Sequence, residues 1–219
     1  MRREINIKDI SDGKLYTAND MVKAGCQDCK GCSACCRGMG SSIILDPLDV
    51  FRLTKDLECS FQELLSAAVE LNVVDGIVLP NLRMAGEQEK CVFLNEQGRC
   101  NIHASRPGIC RLFHLGRIYE DGGFKYFLQV HECKKENRTK VKVSKWLDTP
   151  DIKRYEHFVN DWHYYLKDME ALLERLDDEG QKQISLFVLK QFYLTPFDVS
   201  ADFYEQFELR LNSAKQLFK

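Results

Sequence analysis

Cys26-Gln-Asp-Cys29-Lys-Gly-Cys32-Ser-Ala-Cys35-Cys36 places five thiols within eleven residues. Thiols this close together oxidise or scavenge metal unless something occupies them, so a metal ion or cluster is the expected occupant. Four more follow at Cys91, Cys100, Cys110 and Cys133. The tenth, Cys59, stands apart just before a helix cap, where a small, partly buried hydrophobe is the expected role.

Working outward, Ile5, Ile7 and Ile10 alternate ahead of Ser11-Asp12-Gly13, which predicts an opening strand or arm followed by a turn. After the thiols, Gly38-Met39-Gly40 breaks the chain and Ile43-Ile44-Leu45 reads as a brief buried strand. Asp46 and Pro47 then cap and start a helix, and Ser60 with Glu63 forms a capping box for a second one reaching toward Leu71. Ile77 to Met84, interrupted by Pro80, predicts a short or edge strand. Asn95-Glu96-Gln97-Gly98 joins two apolar segments into a hairpin that brings Cys91 and Cys100 to one edge, and Pro107 opens a short helix carrying Cys110 inward. Glu120 to Gly123 marks another hairpin, whose outgoing strand leads to His131 and Cys133.

Lys134 to Lys145 holds the one basic concentration and reads as a solvated connector. Beyond it the cysteines stop. Thr149 and Pro150 are expected to begin a long helix ending at Gly180, and two further helices lie on either side of Thr195-Pro196. The expected fold class is therefore α+β. A cysteine-cluster metal-binding domain over 1–148, built of short hairpins and helices, packs against a C-terminal helical region over 149–219.

The 219 residues carry a net charge of −2, which argues against a nucleic-acid partner. No apolar run reaches membrane-spanning length and no signal peptide is recognisable, so a cytoplasmic protein is expected, with metal rather than disulfides holding the thiols. His157 and His163 are six apart, not the four expected of paired ligands on a helix. Cys100 and His103 have a spacing usable by zinc. Cys35 and Cys36, being adjacent, are expected to project apart and so to serve two centres, or one centre and a reactive thiol. Arg37, Arg106 and Arg111 lie near thiols in sequence and would lower thiolate pKa values if they face them.

Two arrangements fit these spacings. Cys26, Cys29, Cys32 and Cys36 match the C-x2-C-x2-C-x3-C run of bacterial ferredoxins, although Arg37 stands where Pro is usual. Alternatively, the opening stretch supplies some ligands and the later cysteines complete one four-thiolate iron-sulfur centre or two tetrahedral sites. Thiolate softness suits iron-sulfur and zinc alike. The C-x3-C-x2-C run of radical S-adenosylmethionine chemistry is absent, because Met39 stands where its third Cys would be.

Cys29 to Gly38, Leu45 to Leu53 and Cys91 to Phe113 together resemble the CxxCxxCC family of zinc- or iron-chelating domains, also called the YkgJ-type cysteine-cluster family, with flagellin lysine N-methylases among its relatives. The resemblance implies Cys29, Cys32, Cys35, Cys36, Cys91, Cys100, Cys110 and Cys133 as the metal-binding set. Cys26 is an additional upstream thiol, Ser33 stands where Gly often follows the second Cys, and His114 replaces a frequent Pro after Phe113. The leading expectation is a 4Fe-4S iron-sulfur protein in redox or cluster-supported chemistry, with a redox partner or a protein substrate. The alternatives are a flagellin-methylase-like lysine N-methyltransferase using S-adenosylmethionine, and a structural zinc-binding interaction module. No catalytic acid, base or nucleophile stands out, and whether the chain is an enzyme is left open.

Overall fold

The computed structural model describes residues 7–26, 32–135 and 137–218 and has a mixed α+β fold. Ile5 and Cys29 fall outside these residues. Contrary to the expected opening strand, Ile7–Ile10 forms one helical turn, α1. The expected turn-formers instead belong to strand β1, Ser11–Tyr16, where Gly13 has φ of 73° and the register shifts as at a β-bulge. Strand β2 is Met21–Gly25.

Helix α2, Pro47–Asp56, starts as its sequence demands: Asp46 accepts from the Asp49 N–H, and Asp49 accepts from the Asp46 N–H. Helix α3, Phe61–Ala67, opens on the Ser60–Glu63 capping box. It stops earlier than expected, because Asp75 and Gly76, both at positive φ, fold Val69–Val74 (β3) back onto Ile77–Leu82 (β4). Leu71 therefore lies on a strand. Ile43 to Leu45 forms one bridge rather than a strand: Leu82 N–H donates to the Ile43 carbonyl, and Leu45 N–H to the Pro80 carbonyl.

Met84–Ala85 (β5) pairs with Lys90–Cys91 (β6), and α4 spans Gly108–Leu112. Leu115–Glu120 (β7) and Gly123–Gln129 (β8) form the expected hairpin about Asp121 and Gly122, and β1 adds to the other edge of β8. The basic segment keeps Lys134, Lys140 and Lys145 exposed, as expected, but it is more than a connector. Thr139–Lys142 (β9) pairs with β2, and Val143–Leu147 (α5) buries Val143 and Leu147 completely.

The long helix α6, Ile152–Leu173, is capped by Asp151 rather than Thr149, whose hydroxyl accepts from Arg52. Gly180 does not end it. That glycine lies in the first turn of α7, Asp178–Leu189, where its N–H meets the Asp177 cap at 2.9 Å. A π turn, Lys190–Leu194, and helix α8, Phe203–Leu217, complete the chain. The aromatic stripe of α6 is core: Phe158 and Trp162 meet Phe207 edge-on, and Trp162 meets Phe192 likewise. This cluster continues through Leu45, Leu53 and Leu82 to Cys91 and Leu94. A second cluster joins Val22, Leu112, Leu115, Tyr126 and Leu147.

Helix α4 sits where the clusters meet, since Ile109 packs against both. Its start is fixed by Asp49, which accepts from the Gly108 N–H at 2.7 Å. A Cβ on Gly108 would come within 2.6 Å of the Tyr155 hydroxyl, so only glycine fits there. Burial first, and the charge of Asp46 second, push the Asp49 carboxyl up to about 8. The folded chain therefore binds a proton at Asp49 that the unfolded chain releases near pH ~4. Its contribution is complete below that value and is lost as pH rises through about 8. Asp49→Ala is expected to cost about 2 kcal/mol or more, because it strands two buried N–H groups. Urea unfolding at pH 5 and pH 8 should show wild-type stability falling with pH and Asp49→Asn falling less; equal slopes would contradict this role for Asp49.

Candidate metal centre

Each later cysteine reaches the opening stretch by a separate structural device. Cys35 and Cys36 lie on a 3-10 turn, Ala34–Cys36, closed by the Cys36 N–H on the Ser33 carbonyl. Immediately after it, Arg37 bridges Lys90 and the Gly38 N–H donates to the Glu89 carbonyl. These bonds dock the turn beside Cys91. From Cys91 the chain turns at Asn95, whose side chain accepts from the Arg99 N–H at 2.8 Å, and the Leu94–Cys100 bridge brings Cys100 back. The expected hairpin is thus present as a tight loop with one bridge. Helix α4 delivers Cys110.

These thiols line one cavity of about 410 Å³. Cys26, Cys32, Cys35, Cys36, Cys91, Cys100 and Cys110 all face it, with apolar walls that include Met39, Leu82 and Trp146. Cys133 lies on a much smaller neighbouring cavity, shared with Cys26, Cys32, Cys35 and His114. Cys59 lines neither of the two. Among the described residues, no three Cys, His, Asp or Glu side chains are placed so that they could hold a metal ion without moving.

Burial raises Cys59 as well, but four of the raised thiols share the large cavity. Burial first, then the charges of Asp49, Cys91, Cys100 and Cys35, hold the Cys110 thiol well above its ordinary range. Burial also raises Cys91 and Cys100, and Cys100 feels the Cys91 charge. Cys35 is raised first by its hydrogen bond to Cys36 and then by burial. Cys35 and Cys36 therefore touch, instead of projecting apart as expected, because the tight turn brings both sulfurs to one wall. Each of the four thiols would repel its neighbours as a thiolate, and a soft cation placed among them removes that repulsion. The donor set suits zinc or an iron-sulfur centre.

The three arginines divide by partner. Arg106 pulls the pKa values of both Cys35 and Cys100 down against the larger raising effects, so its guanidinium faces the thiols. Arg111 is structural: its Nε donates to the Arg106 carbonyl, and its Nη atoms donate to the Asp148 and Ala104 carbonyls. Arg37 reaches Gln88 at the exposed surface. His103 lines the large cavity with its Nε2 3.2 Å from Arg106 Nη1. His163 stacks on Tyr119 at 3.5 Å and His157 pairs with Asp161, so neither helical histidine belongs to the centre.

Spacing offered no signal for the docking of Arg37 on Lys90 or for the Asp49 tether of α4. Because the four thiols are protonated at neutral pH in the metal-free chain, metal must displace their protons. Competition titrations with zinc between pH 6 and 8 should show apparent affinity rising with pH, by about tenfold per unit for each proton displaced. A pH-independent affinity would rule out thiol ligation.

No curated protein and no solved structure matches the chain. The profile of the CxxCxxCC family, described as a putative zinc- or iron-chelating domain, matches residues 28–139, from just before Cys29 to beyond Cys133, and leaves Cys26 outside. That span is more than half of the 219 residues and holds all four mutually interacting thiols, so the chain belongs to the CxxCxxCC family of metal-chelating domains.

Proposed function

We infer that the chain holds a 4Fe-4S cluster through Cys35, Cys91, Cys100 and Cys110 and serves redox or cluster-supported chemistry in the cytoplasm. The observation that carries this reading is the mutual electrostatic contact of the four thiols within one largely apolar cavity. Four thiolates are the usual complement of such a cluster, which when bound supplies one-electron transfer. The chain's own contribution is positional. The Arg37–Lys90 bridge fixes Cys35 against Cys91, the Asp49 tether fixes Cys110, and Arg106 offsets thiolate charge. The apolar walls limit water access, and with it the solvent screening that sets a cluster's potential.

One observation favours a second reading, a flagellin-methylase-like lysine N-methyltransferase of the YkgJ type. The cavity of about 410 Å³ falls in the size range of small-molecule sites, and S-adenosylmethionine is the small molecule this reading places there. Calorimetry with S-adenosylmethionine on the metal-loaded chain separates the two readings, since only the second requires binding.

Anaerobically purified protein should be coloured and contain iron and acid-labile sulfide, with a paramagnetic resonance signal on reduction. Cys35→Ser, Cys91→Ser, Cys100→Ser and Cys110→Ser should each lose most of that iron, whereas Cys59→Ser keeps it. Colourless protein containing zinc alone, and unfolding when chelated, would replace the cluster with the structural zinc module.

A further inference from the structure

We propose that the open edge of β3 pairs with the same edge of a second copy of this chain, antiparallel, with Leu71 of each copy opposite Val73 of the other. The backbone carries the argument. β3 pairs with β4 in an unbroken register, from Val69 with Leu82 to Val74 with Ile77. On β4, the Val78 N–H donates to Ser185 Oγ at 2.6 Å, the Pro80 carbonyl accepts from the Leu45 N–H at 2.8 Å, and the Leu82 N–H donates to the Ile43 carbonyl at 2.9 Å. These three residues therefore turn their backbone groups away from β3. Opposed residues of an antiparallel ladder share one orientation, so their partners Val73, Leu71 and Val69 turn theirs away from β4. The outer edge of β4 is covered by α7 and by the Ile43 to Leu45 segment. Among the described residues, no backbone group pairs with the outer edge of β3.

An open edge is normally blunted by lysine, proline, a bulge or shortness. β3 reads Val-Glu-Leu-Asn-Val-Val over six residues and has none of these devices. Leu71 is 40% and Val73 70% exposed, and their side chains share one face because the strand period is two. The one charged residue, Glu70, points to the other face, where its carboxylate accepts from the Asn72 and Asn81 side-chain amides at 3.1 Å each.

The strand is complementary to itself. A two-fold axis beside Asn72 sets Leu71 against Val73 of the second copy at two places, and Glu70 against Val74. Both exposed residues then exchange N–H···O bonds across the seam, apolar side chains meet, and no charge faces a like charge. An axis beside Leu71 or Val73 would instead set Val73 against the buried Val69, or Leu71 against the turn residue Asp75. A contact of about six residues a side falls short of the roughly 20–30 of a standard interface, so the pairing is reversible and depends on concentration. No residue of β3 lines either thiol cavity, so pairing leaves the metal centre as it is.

The test is sedimentation of the full, metal-loaded chain from micromolar to near-millimolar concentration. Monomer should give way to dimer, and hydrogen exchange at the Leu71 and Val73 N–H groups should slow over the same range. Leu71→Lys and Val73→Glu are each expected to weaken self-association by about tenfold, because the opposed pair is lost twice in every dimer. Mixing the two variants should restore association, since the new ammonium of one then faces the new carboxylate of the other. Both positions are exposed, so each variant should fold and hold as much metal as wild type. Wild type that stays monomeric at every concentration would overturn the proposal and leave the edge to a strand of a different protein. A dimer that both variants keep, or a mixture that associates no better than either variant alone, would also overturn it.

Discussion

Partly buried thiols close enough to sense one another's charge set the terms for the rest of this fold. Cys35, Cys91, Cys100 and Cys110 come from three stretches of chain, and each is raised in pKa by burial, by a neighbouring sulfur, or by both. Without a cation they are stable together only as neutral thiols, because thiolates at these positions would repel one another. The surrounding structure supplies what that convergence requires: a bridge at Arg37–Lys90, a one-bridge loop at Leu94–Cys100, and a short helix tethered by a buried carboxylate.

That tether links the metal region to the helical core. Asp49 is the N3 residue of α2, whose Leu48, Val50 and Leu53 are buried. The same carboxylate that completes the α2 capping box holds the N–H two residues before Cys110. Packing of α2 against the aromatic core of α6 and α8 therefore fixes the position of a thiol more than 50 residues further along the chain. Residues 149–219 supply much of the hydrophobic core on which α2 rests, though neither a thiol nor a lining residue of the cavity.

Local signals in the sequence were legible where one residue type satisfies one backbone need. Asp46 and Ser60 cap helices as read, Pro107 opens α4, and Asp121-Gly122 turns a hairpin. The reading failed where a tertiary partner claimed the group. Thr149 looked like a cap, but its hydroxyl goes to Arg52, and Asp151 takes over. Gly180 looked like a helix stop but donates its N–H to a cap. The lysines of 134–145 suggested solvent, while the alternating Val141, Val143 and Leu147 among them carried the strand and helix. The thiols were identifiable as a group from spacing and family resemblance, but which of them come to line one cavity was not. That convergence depends on the Arg37–Lys90 bridge and on the Asp49 tether of α4, and neither leaves a periodic or spacing signature.

The central claim is that the opening stretch shares its centre with thiols as far along the chain as Cys110 and does not complete one alone. Isotope-coded alkylation with mass spectrometry, comparing the metal-loaded and metal-free full chain, tests this most directly. The account predicts that Cys35, Cys91, Cys100 and Cys110 become protected together on loading while Cys59 does not. Protection confined to residues 26–36, with Cys91, Cys100 and Cys110 alkylated equally in both states, would contradict it.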